Sequence, residues 1–74
     1  MQITQHGNVF VLKLKGTYDM YEVKVQAPDF NILSVHKETY PDYWVVTSVN
    51  DLDFNSQDKL FQAVQKARRT YEHR

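Results

Sequence analysis

The sequence predicts an α+β domain: an antiparallel meander of four strands, then one C-terminal helix packed on a single face of the sheet (ββββα). Three observations carry this. Between residues 9 and 49 apolar and polar side chains alternate with period two, turn-forming residues break that alternation at short intervals, and beyond residue 55 the apolar spacing becomes helical. Every connection is short, which favours hairpins over crossovers.

The first strand, about residues 8–15, reads "VFVLKLK", with Phe10, Leu12 and Leu14 on one side and Val9, Val11, Lys13 and Lys15 on the other. "KGTYD" turns it, Gly16 supplying the freedom of a tight reversal. The second, about 18–26, carries Tyr21, Val23 and Val25 inward and Met20, Glu22, Lys24 and Gln26 outward. "APDF" makes the next reversal, with Pro28 presetting φ. The third strand, about 30–39, has adjacent Ile32 and Leu33, a break in phase that predicts a bulge or burial on both sides. "YPDY" is a turn with Pro41 at its second position, and the fourth strand, about 43–49, is β-branched and aromatic. "MQIT" is a candidate fifth, edge strand, with His6, Gly7 and Asn8 as its turn.

In the helix, about residues 56–72, Leu60, Val64, Ala67 and Tyr71 form one apolar stripe flanked by Phe61. Asn55 or Ser56 is the expected N-cap, with Asp58 beside the positive end of the helix dipole. The stripe needs a sheet face to cover it, because an isolated helix of this length is unstable in water.

Composition bounds the function. The 74 residues make one domain, 1–74, whose marginal core favours self-association. The absence of cysteine removes disulfides, thiolate metal sites and cysteine nucleophiles, and points to an intracellular, cytoplasmic setting. No apolar run is long enough to span a membrane, and "MQITQHGNVF" lacks a signal-peptide pattern. Nine basic residues balance nine acidic ones. They are unevenly placed: three Asp fall in 51–58, and five bases against Glu72 in 59–74, an order that suits the helix dipole.

Motifs for chemistry fall short. Asp51, Asp53 and Asn55 have the spacing of a calcium loop, but Ser56 stands where glycine is needed and Gln62 where a bidentate glutamate belongs. His6, His36 and His73 lack metal-ligand spacing. With only Gly7 and Gly16 there is no phosphate cradle, and Glu22 and Glu38 have no evident pocket to desolvate them as a carboxylate pair. The expectation is a protein that is not an enzyme and uses neither metal nor cofactor.

Two binding readings follow from strands that are apolar on both faces when one helix can cover only one. The first is a protein-interaction module, an inhibitor, adaptor or regulatory accessory protein like those of phage and mobile elements. It would act through the uncovered face or an edge strand, with Trp44, Tyr43, Tyr40, Met20, Val9 and Val11 as anchors and a homodimer among the expected assemblies. The alternative is nucleic-acid binding, with sheet aromatics stacking on bases and Lys13, Lys15, Lys24 and Lys37, or Lys66 and Arg69 of the helix, on phosphates. Acids interspersed among those lysines weigh against it.

Overall fold

The computed structural model describes residues 1–39 and 43–73, over which the chain forms one open antiparallel sheet with a long helix on one face. The strands are β1 (Gln2–His6), β2 (Val9–Lys15), β3 (Met20–Gln26), β4 (Asn31–Thr39) and β5 (Tyr43–Val46), and helix α1 spans Phe54–Glu72. Strand order follows chain order. The sheet is therefore a five-stranded meander, with the N-terminal segment pairing as the expected edge strand. Gly7, at φ +62, takes the first position of the two-residue turn into β2, where a type II′ hairpin needs glycine.

Directly opposed residues in an antiparallel ladder share a face. The register sets Leu12 against Ile3 and Val23, Phe10 against Val25, Leu14 against Tyr21, and Val23 against Val35. These residues, except the half-buried Ile3, are buried and receive Leu60, Ala63 and Ala67 of α1 from above. The register slips between Lys24 and Val25, so Ile32 and Leu33 together face Val25: of the two outcomes their adjacency allows, a bulge and not burial on both sides.

Several expectations change. β3 and β4 begin at Met20 and Asn31, because Tyr18 lies in a loop closed by Gly16 N–H donating to Asp19 O (2.7 Å), and Phe30 sits at φ +60, which no strand residue adopts. The Ala27–Pro28 peptide is cis. The fourth predicted strand stops at Val46, not Val49. Thr47 still donates to Val35 O (2.9 Å), but its hydroxyl bonds the Asp51 carboxylate and residues Val49–Asp51 form a 3-10 turn that swings Val49 toward the core.

The helix starts two residues early because the cap is Asp53, not Asn55 or Ser56. One Asp53 carboxylate oxygen accepts from Ser56 N–H (2.8 Å), the other from Thr17 N–H in the β2–β3 loop (3.0 Å), so a single side chain caps the helix and ties it to the sheet. Gly16 serves this junction by its smallness. Its φ is not in the left-handed region, but a Cβ there would collide with Ser56 Oγ and lie 2.9 Å from the Asp53 carboxylate. The Pro41 turn, Asp42 and Arg74 lie outside the described residues.

A helix is about 10 Å across and five strands span about 19 Å, so one helix covers half of this sheet. Here α1 packs chiefly on β2. On the helix side Val35 of β4 is still buried, while Ile32 at the start of β4 and Tyr43 of β5 are exposed.

Candidate functional site

Beside the core, α1 faces the start of β4 and the 3-10 turn across an uncovered gap. Between them lies a groove of about 390 Å³ walled by Phe30, Ile32, Val49, Leu60, Phe61 and Val64, with Gln57 its one polar wall among the described residues. Phe61 and Val64 are turned to this side because the stripe that seats on the sheet is Leu60, Ala63 and Ala67, about a quarter turn away. Phe61 therefore does not flank the core, as its spacing suggests. It is 63% exposed, and Phe54, seven residues before it on the same side of the helix, is 92% exposed.

Phe30 forms the end wall, and its backbone is in a conformation disfavoured for a bulky side chain. Packing holds it there. Its ring lies 5.5 Å from that of Phe10 and 6.0 Å edge-on from Tyr71, with the Arg68 guanidinium 5.1 Å from its centroid and bonded to Asp29 O at 3.3 Å. At the opposite end of the helix the local field is acidic. The amides of Thr17 and then Ser56 hold the Asp53 carboxyl below its ordinary range. Burial, and after it Asp19, Asp53 and Asp51, pushes the Tyr21 phenol up.

The expected anchors divide between two faces. Trp44 is in register with Glu38 and Met20, and Val9 and Val11 with Gln26 and Lys24, all on the face away from the helix. Tyr43, opposed to Thr39, points to the helix side with Val45. Tyr40 lies outside the described residues. Lys13, Glu22 and His36 form one row across the open face, and Lys24 and Glu38 stand in the neighbouring rows. These charges separate the half-buried Val9 and Val11 from Met20, Trp44 and Val46, so the apolar surface of that face concentrates at β5, where Val46 is 80% exposed.

The cations named for nucleic acid are likewise dispersed. Lys13, Lys15 and Lys24 share the open face, each row also holding an acid or serine; Lys37 opposes Tyr21 and Val45 on the helix side; Lys66 and Arg69 are exposed on α1. Of the calcium-like acids, Asp53 caps the helix and Asp51 bonds Thr47. Among the described residues no cluster of His, Asp or Glu is arranged to hold a metal, and no helix is long and apolar enough to cross a membrane.

The groove residues Ile32, Val49, Phe61 and Val64 do not stand out as a site from sequence. A signal is present all the same: the apolar stripe of α1 is one helix wide while the predicted sheet is four or five strands wide. No family model, curated protein or solved structure matches the chain.

Proposed function

We propose that the chain is a non-enzymatic protein-interaction module whose groove between α1, the start of β4 and the 3-10 turn receives an apolar segment of a protein partner. The carrying observation is the groove beside α1, lined by aromatic and aliphatic side chains with no charged wall among the described residues and rimmed by the exposed Phe61. Small-molecule sites of this volume use several convergent polar groups to orient their ligand. Gln57 alone does not supply them. Apolar side chains of a polypeptide need none, and aromatic contacts dominate such interfaces. A cytoplasmic setting and a regulatory or inhibitory role fit this reading.

The nucleic-acid alternative draws less support, since among the described residues the groove offers phosphate no cation and the lysines of the open face stand among carboxylates. The test uses purified domain as bait, with Phe61→Glu beside it and the lysate split into nuclease-treated and untreated halves. The captured protein, once purified, is titrated against both baits. Binding that survives nuclease and high salt and is lost in Phe61→Glu is expected; capture that vanishes with nuclease would overturn the reading.

A further inference from the structure

The sheet has two free edges of opposite character. β1 presents Gln2, Thr4, Gln5 and His6, a polar, exposed strand, whereas β5 is Tyr-Trp-Val-Val, with no charge, proline or bulge among its four residues. Folded proteins blunt such an edge with charge, proline or a cover, because its unpaired amides and carbonyls otherwise recruit another strand. Among the described residues β5 has none of these, and only its length of four residues limits it as a template.

We infer that β5 pairs with the β5 of a second copy of this chain, antiparallel about a twofold axis normal to the sheet. The inference rests on the protein-interaction reading and adds the β5 edge to it as a second contact surface. Thr47 N–H points inward to Val35 O, so alternation turns the backbone groups of Val45 inward and those of Trp44 and Val46 out toward the free edge. A self-pairing that joins outward groups, keeps each face matched and pairs both Trp44 and Val46 within the strand sets Trp44 opposite Val46 of the second copy, twice, with Val45 on the axis.

That register makes two aromatic-to-β-branched cross-strand pairs and opposes no charges, since β5 has none. It also covers Val46 and the exposed part of Trp44, the apolar end of the open face. Head-to-tail pairing of β1 with β5 would instead set Thr4 and His6 against Trp44 and Val46 and grow without closing. A four-residue strand pair is smaller than a standard interface of about 800 Å² per partner, so the dimer is weak and concentration-dependent.

Sedimentation equilibrium over a concentration series tests this on the full chain, with Val46→Pro and Thr4→Lys beside wild type. Val46 N–H faces outward, so proline there spares the β4–β5 ladder, as edge proline does, but removes an intermolecular bond. Wild type and Thr4→Lys are expected to climb from the 8.8 kDa monomer toward twice that mass, and Val46→Pro to stay monomeric. A wild type that remains monomeric, a Val46→Pro that still dimerises, or a Thr4→Lys that alone dissociates would each overturn the inference. Should Val46→Pro misfold, amide exchange decides. Protection at Trp44 and Val46 must rise with wild-type concentration while Ile3 and Gln5 stay unchanged; no rise defeats the proposal. Phe61→Glu leaves β5 intact, so loss of partner binding with the dimer retained separates failure of the groove from failure of the edge.

Discussion

β2 and β5 are both apolar on both faces, yet they end in opposite environments. On β2, Phe10, Leu12 and Leu14 are sealed beneath α1, and strands flank it on both sides. On β5, Tyr43 and Val46 are largely exposed, one face lies beyond the reach of the helix, and one edge is free. What differs is the place in the sheet. A side chain is buried by what stands over and beside its strand, so the same composition makes β2 a source of stability and β5 an exposed apolar edge.

The largest expected effect breaks the β2 side. Leu12, fully buried between Ile3, Val23 and the helix, should cost about 3 kcal/mol when cut to alanine, a large part of what so small a domain has. Urea unfolding measures it. A loss no greater than that of an exposed alanine substitution would mean β2 is not the core strand.

Gly16→Ala should follow, at about 1–3 kcal/mol, because the new methyl enters the space held by Ser56 Oγ and the Asp53 carboxylate. The helix start must lift or the loop must shift. Thermal unfolding followed by helical circular dichroism would register both, and an unchanged midpoint would show that the junction has slack.

Much of the β2 side is legible in sequence. Period two assigns Phe10, Leu12, Leu14, Tyr21, Val23 and Val25 to one face whatever the strand order, and adjacent Ile32 and Leu33 leave only a bulge or burial on both sides, of which the structure has the bulge. The junction is not legible. Asp53, Asn55 and Ser56 are all good caps, and the choice falls to Asp53 through the Thr17 amide, 36 positions away. Gly16 reads locally as a turn glycine, while its need for smallness comes from the helix that lands on it. The groove depends on the sideways position of α1 over β2, and residues 54–72 by themselves do not encode that position.

A smaller effect, readable as a pH dependence, belongs to Asp53. Its folded pKa is depressed by the Thr17 and Ser56 amides, so its contribution to stability is full above the ordinary carboxylate value of about 4 and is lost as pH falls through that value toward the lower folded one. An asparagine side chain in its place has no proton to gain or lose over this range. The difference in melting temperature between wild type and Asp53→Asn should therefore be constant near neutrality and shrink on acidification. A difference that stays level into strong acid would exclude the carboxylate as the cause.

The smallest expected effect on stability carries the β5 side of the comparison. Trp44 faces away from the helix, in register with Glu38, and is 38% exposed, so its ring is not part of the sealed core. Trp44→Ala should cost no more than about 1 kcal/mol, far less than the roughly 3–5 typical of a buried aromatic. The same substitution removes the largest side chain of β5, so self-association should fall while the melting curve barely moves. Stability and association thus separate along one sheet: Leu12→Ala should weaken folding and leave the β5 edge unchanged in the molecules that remain folded, and Trp44→Ala should do the reverse. If Trp44→Ala instead lowers stability as much as Leu12→Ala, the ring is a core residue and β5 is built like β2.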